Sequence, residues 1–214
     1  KKPFFLSINY PDAHRPFIKS KGGLPAEPLA ADQVKTLAYI GLESEGLRQQ
    51  VADYYNCMAR LDALVGELLT KLKESGKYGD TLIVYLGDHG ADLIRGKRTC
   101  YEGGVRVPMI VRLPKGKAGQ KRRELVSTLD LFPTFLEISE AEPVADLPGR
   151  SLLPLLRGEK PKWRQYMPTE YHLHSAHNYY PQRAIRNERY KLIENLQPGE
   201  VDPGYEFTVN RFFG

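Results

Sequence analysis

A long stretch in the first half of the chain carries apolar residues at steps of three or four. Within residues 46–75 these positions are Leu47, Val51, Tyr54, Met58, Leu61, Val65, Leu68 and Leu72. This spacing puts them on one face of a helix, so it predicts a single long amphipathic helix. Gly76 follows at the point where such a helix ends, because glycine readily adopts the left-handed conformation of a helix C-terminus.

Continuous apolar runs on either side of this helix predict strands. They cover residues 4–9, 81–86 and 107–113 and are rich in aliphatic, β-branched and aromatic side chains. Runs of this length without polar alternation are typical of strands buried on both faces. We therefore expect a buried strand at residues 4–9 and a central parallel strand at residues 81–86. A helix followed by a buried strand indicates an α/β fold.

Two segments between these elements have their own signals. Residues 11–28 are rich in proline, glycine and charge, which predicts a long loop of the kind that carries functional residues. Asp130 precedes the apolar segment Leu131–Ile138 and is predicted to cap a helix there, with Pro133 in its first turn.

The last third of the chain has a different pattern of apolar and polar residues. Residues 183–186 and 190–194 flank the polar turn 187–189, and together they predict a β-hairpin. We therefore divide the chain into an α/β part over residues 1–148 and a small antiparallel α+β subdomain over residues 149–214.

The composition is that of a globular protein, with 41% hydrophobic and 27% charged residues among 214. The net charge of +5 favours anionic partners. The densest basic run, residues 115–123, is interrupted by glycines and is interpreted as a solvated loop. No nucleic-acid-binding motif is present, so no nucleic acid partner is predicted. No apolar run approaches the ~20 residues that a membrane-spanning helix needs.

The sequence Gly-Asp-His-Gly at residues 87–90 follows a predicted strand directly. Ligands of open α/β sheets bind at the carboxyl ends of strands. Asp88 offers a hard oxygen ligand and His89 a nitrogen ligand, so the pair predicts a metal site. The alternative is structural: Asp88 caps a turn and His89 packs.

The segment that follows is more specific. Residues 96–108 have the sequence Gly-Lys-Arg-Thr-Cys-Tyr-Glu-Gly-Gly-Val-Arg-Val-Pro. Together with Asp-His-Gly before it, this segment resembles the second signature block of formylglycine-dependent sulfatases of the alkaline-phosphatase superfamily. The resemblance extends over most of the chain, through Asp-Ala-His-Arg-Pro at 12–16, the stretches 125–134 and 149–152, and Arg-Tyr-Lys-Leu-Ile at 189–193.

The resemblance implies roles for individual residues and a fold. Asp88 resembles the calcium-ligating Asp of the family, and His89 occupies the next ligand position, with Mg²⁺ as the alternative ion. Lys97 resembles the lysine that contacts the sulfate, and His14 matches a histidine beside the sulfate or the leaving-group oxygen. The implied fold is an alkaline-phosphatase-like mixed or parallel sheet flanked by helices, followed by the small antiparallel subdomain.

The substrate expectation rests on residues 179–183, Tyr-Tyr-Pro-Gln-Arg, which resemble the matching stretch of heparan N-sulfatases. These enzymes hydrolyse N-sulfoglucosamine, so a sulfated glycan is the implied partner. Arg183 and three histidines before it are candidate substrate-binding residues: His172, His174 and His177. A polar loop without a binding role is the alternative for the histidines.

The chain departs from the family in lacking the Cys/Ser-x-Pro-x-Arg motif that is converted to formylglycine. Cys57 lies in the predicted long helix and is interpreted as a small buried hydrophobe. Cys100 is followed by Tyr-Glu-Gly rather than by the modification motif, so it is not the expected nucleophile. Whether the two cysteines are paired stays open.

We therefore expect this chain to be an inactive fragment of a larger sulfatase, with the formylglycine in an N-terminal part. A periplasmic, secreted or lysosome-like location is expected, because sulfatases of this kind are usually exported. Two alternatives stay open. One is a phosphate or phosphonate ester hydrolase of the same superfamily, and the other is a non-catalytic binder of sulfated glycans.

Overall fold

A computed structural model describes residues 3–174 and 179–203, and within these residues the chain forms two compact units. The described part of the first unit comprises residues 3–78, 89–106 and 200–203, and that of the second comprises residues 79–88, 107–174 and 179–199. Each unit is therefore assembled from segments that are distant in sequence. The predicted domain boundary between residues 148 and 149 stays a prediction.

The first unit is built around the long helix α1, Glu45–Glu74, which confirms the predicted helix. Ser44 caps its N-terminus, since the hydroxyl accepts a hydrogen bond from the Leu47 amide at 3.1 Å. Gly76 follows the helix with a φ of +70°, the left-handed conformation that glycine adopts without steric cost. The amphipathic pattern and the two end signals together fix the position of this helix.

The core of the first unit lies against the N-terminal half of α1. Leu47 and Val51 of the helix are fully buried there, beside Leu93 and Ile94 of the distant 89–106 segment. The burial of these aliphatic side chains is the main force that holds the segment on the helix.

The prediction of a buried strand at residues 4–9 is wrong for this structure. Residues 3–10 form neither helix nor strand, and Phe5 and Leu6 are 78% and 65% exposed. An extended run becomes a strand only when a neighbouring strand accepts and donates its backbone hydrogen bonds. None of the strands in the described part of the chain lies beside this segment.

The second unit contains a two-stranded sheet of β1, Ile83–Leu86, and β2, Met109–Arg112. Both strands were predicted, but the pairing is antiparallel, with Val84 opposite Val111, so the expected parallel pairing is wrong for β1. Along the chain, the connection from β1 to β2 contains only the one-turn helix α2, Glu102–Val105. Parallel pairing requires a longer crossover connection, usually with a helix that covers the sheet.

The predicted helix at Leu131–Ile138 is present as α3 and begins after Asp130. The carboxylate of Asp130 does not cap it, however. This fully buried group accepts hydrogen bonds from the amides of Ser127 and Arg150, both at 2.8 Å, and from the guanidinium of Arg164 at 2.6 and 2.7 Å. Asp130 therefore joins the start of α3 to residues that follow it in sequence.

A three-stranded antiparallel sheet completes the second unit. It contains β3, Met167–Tyr171, then β4, Gln182–Arg186, and β5, Lys191–Asn195, in that order. The hairpin of β4 and β5 was predicted, whereas β3 was not, because Pro168 and Glu170 are unusual in strands. β3 lies at an edge, where a proline is tolerated. The one-turn helix α4, Leu153–Leu156, precedes this sheet.

In the described ranges, no helix combines the length and the apolar character that crossing a membrane requires.

Candidate functional site

The 89–106 segment folds back on itself through close backbone contacts at its glycines. The Gly90 amide donates to the Gly104 carbonyl at 2.8 Å, and the Lys97 amide donates to the Ala91 carbonyl at 2.8 Å. A Cβ atom added to Gly90 would lie 1.6 Å from the Gly103 carbonyl oxygen, and one added to Gly96 would lie 2.0 Å from the Ala91 oxygen. Only glycine therefore fits at these two positions without moving the backbone.

This packing gives a test with a matched control. Gly90→Ala is expected to destabilise the protein by about 2 kcal/mol or more, because the backbone must move to admit the methyl group. Gly66→Ala, in α1, is expected to stabilise it by about 0.5–1 kcal/mol, since nothing lies within 4 Å of the new methyl group and alanine favours helices. Urea unfolding measures both, and equal effects would contradict the close approach.

Lys97 lies in this segment and is only 7% exposed. Across the part of the chain that the structure describes, its ammonium makes no hydrogen bond or ion pair. Lys97 Nζ is not among the buried side-chain nitrogen and oxygen atoms that lack a partner, so the stem of the side chain is packed while its charged tip reaches solvent. The ammonium of Lys97 is therefore available to bind an anion.

Asp92 joins the His14 loop to the Lys97 loop. Arg15, which follows His14, donates to the Asp92 backbone carbonyl through Nη2 at 2.6 Å and through Nε at 3.0 Å. Arg98, which follows Lys97, donates to a carboxylate oxygen of Asp92 at 2.7 Å. Arg15 and Arg98, the sequence neighbours of His14 and Lys97, thus both bind Asp92.

A second anchor ties the His14 loop to helix α1. Arg60 forms a bidentate pair with Asp12 at 2.6 and 2.8 Å and also donates to the Ile18 carbonyl at 3.0 Å. Hydrogen bonding to Asp12 raises the pKa of Arg60, so this guanidinium stays charged. The loop that carries His14 is therefore fixed on both sides of the histidine.

The two predicted histidines of the first unit are exposed. Nδ1 of His14 lies 2.7 Å from the Arg15 carbonyl oxygen, and Nδ1 of His89 lies 2.8 Å from the Gly90 carbonyl oxygen. A carbonyl oxygen only accepts, so each Nδ1 carries the proton and Nε2 is the basic nitrogen. The tautomer follows from this hydrogen bond.

Asp88 is the last residue of its segment in the second unit, and it is exposed after β1. Together with His89 it offers one oxygen and one nitrogen donor. Calcium takes about six to eight oxygen ligands, so the two residues fit part of a donor set and not a whole one. Among residues 3–174 and 179–203, no three His, Cys, Asp or Glu side chains form a group that could hold a metal ion.

Neither cysteine has the environment of a nucleophile. Cys57 and Cys100 are both buried, and they are not bonded to each other. Burial raises the pKa of the Cys57 thiol, which disfavours the reactive thiolate. The structure agrees with the interpretation of Cys57 as a small buried residue of α1.

The candidate substrate residues of the second unit lie on or beside the three-stranded sheet. His172 is exposed, with Nε2 3.5 Å from a carboxylate oxygen of Glu170, and His174 is exposed nearby in sequence. Arg183 is exposed on β4, where its register partners are Glu170 and Glu194. His177 lies outside the described residues, so its predicted role stays a prediction.

Arg15, Asp92, Arg98 and the pair Asp12–Arg60 are the residues that sequence reasoning missed. Asp12, Arg15 and Arg98 belong to the motifs that carry the family resemblance, which was the available signal. Their partners lie 48 and 77 positions away for Asp12 and Arg15, and no local pattern indicates such a pairing.

The sequence profile of the family "Sulfatase" matches residues 1–141, and that of "N-sulphoglucosamine sulphohydrolase, C-terminal" matches residues 87–205. Human N-sulphoglucosamine sulphohydrolase is 29% identical over 98% of this chain and 49% of its own length. N-acetylglucosamine-6-O-sulfatase of Bacteroides thetaiotaomicron is 34% identical over 68% of this chain and 28% of its own.

Among solved structures, a phosphonate monoester hydrolase of Silicibacter pomeroyi superimposes with a TM-score of 0.63 and 27% identity. The match covers 78% of this chain and 37% of that one. This chain spans about half the length, or less, of the curated relatives that it matches. With two family profiles that each match more than half of its residues, the chain belongs to the sulfatase family, with its alkaline-phosphatase-like fold.

Proposed function

We propose that the protein containing this chain removes sulfate groups from sulfated sugars by hydrolysis. The observation that carries the proposal is Lys97, whose side chain is packed in the glycine-rich segment of a sulfatase and whose ammonium has no anionic partner among the described residues. A sulfate oxygen would give this ammonium the partner that the fold does not supply. The names of relatives that act on sulfated sugars support the same proposal.

Lys97 and His14, both in the first unit, have different roles in this reaction. Lys97 binds the sulfate group and stabilises the negative charge that increases on its oxygens as the bond to sulfur breaks. When both of its ring nitrogens are protonated, His14 donates the Nε2 proton to the leaving oxygen, or to the leaving nitrogen if the substrate is a sulfamate. The anchors from Asp12 to Arg60 and from Arg15 to Asp92 hold the His14 loop in place.

We further propose that Asp88 and His89 hold part of a calcium site, with Mg²⁺ as the alternative ion. Their remaining co-ligands and the formylglycine nucleophile would come from residues outside this sequence. When bound, the metal supplies positive charge that favours the sulfate and its transition state. Asp88 contributes a carboxylate oxygen, the ligand type that calcium prefers.

For the substrate we propose N-sulfoglucosamine at the end of a heparan-type chain, with His172, His174, His177 and Arg183 as candidate sugar contacts. The C-terminal family profile and the human relative support this choice. Export to the periplasm, the medium or a lysosome-like compartment is proposed with it, because such glycans lie outside the cytosol.

Sulfate release by the full-length protein tests the substrate. Purified protein is incubated with N-sulfoglucosamine and, separately, with glucosamine 6-sulfate, and free sulfate is measured. The proposal predicts faster release from the N-sulfated sugar. Release from the 6-sulfate alone would mean that the protein is a sugar sulfatase whose substrate is not the sulfamate. No release from either sugar would favour a non-catalytic glycan binder.

A phosphonate or phosphate monoesterase is the second candidate. The solved phosphonate monoester hydrolase supports it, because the match is 27% identical over 78% of this chain. Both reactions need a cation beside the transferring group, so Lys97 alone does not separate them.

A further inference from the structure

The excess positive charge of the chain is concentrated in two short segments. Residues 115–123 carry five basic side chains and no acidic one, and residues 157–162 carry three basic side chains and one acidic one. These segments hold eight of the 31 basic and one of the 26 acidic residues, so the rest of the chain has a net charge of −2. The +5 of the whole chain therefore has a local origin.

The fold brings the two segments together within the second unit. The Gln120 side-chain amide donates to the Leu156 carbonyl at 3.0 Å, and Arg122 donates to the Glu159 carbonyl at 2.8 Å. A Cβ atom added to Gly158 would lie 2.9 Å from Cδ of Lys117. The segments are thus in contact at two points, and Gln120 binds the residue that precedes the second segment, although the segments are about 40 positions apart in sequence.

The acidic groups near this surface neutralise one end of it. A cavity of about 510 Å³ is lined by Lys115, Lys117 and Arg157 and also by acidic side chains. The acidic lining residues are Asp80, Glu137 and Glu140. Arg122 is already paired with Glu124 at 2.6 Å.

Beyond that end, four basic residues are exposed and have no carboxylate within ion-pair distance in the described chain: Lys121, Arg123, Lys160 and Lys162. Like charges that are held side by side repel one another and destabilise the fold slightly, and a polyanion relieves this repulsion.

We propose that residues 115–123 and 157–162, none of which belongs to the candidate site, form a basic surface that binds the sulfated polysaccharide chain. The choice of a sulfated glycan over other polyanions rests on the proposed function. Such a surface holds a polymer on the protein through many weak contacts, each of them sensitive to salt. Residues 115–123, which the sequence indicated as a solvated loop, then have a binding role.

Heparin affinity of the full-length protein tests the surface with two variants of equal net charge. The first carries Lys→Gln at Lys117, Lys121, Lys160 and Lys162. The second carries Lys→Gln at four exposed lysines of the first unit that lie outside the His14 loop: Lys35, Lys71, Lys73 and Lys77. The first variant is expected to bind heparin roughly tenfold more weakly near 0.15 M salt and to elute from a heparin column at lower salt. The second is expected to change much less.

Equal weakening in both variants, or none in either, would overturn the proposal, because binding would then follow total charge or use another surface. Tighter binding of a DNA duplex than of heparin would overturn the choice of partner. Hydrolysis of the monosaccharide N-sulfoglucosamine is expected to be the same in both variants. A full-length protein that shows charge-position-dependent heparin binding and no sulfate release would support the surface and contradict the proposed function.

Discussion

Lys97→Met in the full-length protein is expected to lower kcat/KM for a sulfated sugar by about 10²–10³-fold, the usual cost of removing one charge-stabilising group from a transition state. Stability is expected to stay unchanged or to rise. Lys97 is 7% exposed, so most of its side chain is packed, and the described residues offer its ammonium no partner; Met has a stem of similar length and fills the same space. Steady-state kinetics and thermal unfolding of the same preparation measure the two effects.

Lys71→Met is the matched control. Lys71 lies in the last turn of α1 and is exposed, so the same substitution is expected to leave kcat/KM unchanged. The opposite pattern, lost stability with retained turnover, would mean that Lys97 has a structural role. The combination of higher or equal stability with lost activity is typical of a functional residue that the fold does not need.

Asp130→Asn is expected to destabilise the second unit by about 3–5 kcal/mol, because it leaves the Arg164 guanidinium buried without its counter-charge. The two side chains are 0% and 13% exposed, and the carboxylate also holds the amides of Ser127 and Arg150. Trp163 is the single tryptophan of the 214 residues and precedes Arg164, so its fluorescence during urea unfolding of this chain reports on the site directly.

Glu137→Gln is the control for that substitution. Glu137 pairs with Arg157 at 3.8 Å, with side chains 44% and 55% exposed, and such surface pairs contribute about 0–1 kcal/mol. The expected shift in unfolding midpoint is therefore small beside that of Asp130→Asn. Similar midpoints for the two variants would contradict the assignment of Asp130 as a buried structural anchor.

Local signals were sufficient where one element determines its own structure. The apolar spacing and Gly76 located α1 to within a residue at each end. The turn at 187–189 located the hairpin of β4 and β5, where the Asn187 side chain accepts from the amides of Arg189 and Tyr190. In both cases, the residues that specify the element are also those that form it.

Local signals failed where the outcome depends on a distant partner. Residues 4–9 have the composition of a buried strand, but a strand also needs a neighbour, and none of the described strands pairs with them. Asp130 has the position of a helix cap, but its carboxylate forms an ion pair with Arg164, 34 positions later. In the candidate site, the family motifs indicated His14 and Lys97, whose roles stay a prediction, whereas the bonds from Arg15 and Arg98 to Asp92 were visible only in the fold.

The most direct test of the central claim is the selectivity of the full-length protein between a sulfate and a phosphonate ester with the same leaving group. We would measure kcat/KM for 4-nitrophenyl sulfate and for 4-nitrophenyl phenylphosphonate, in the presence of calcium. The account predicts the higher kcat/KM for the sulfate. A higher value for the phosphonate would contradict it and would favour the phosphonate monoesterase.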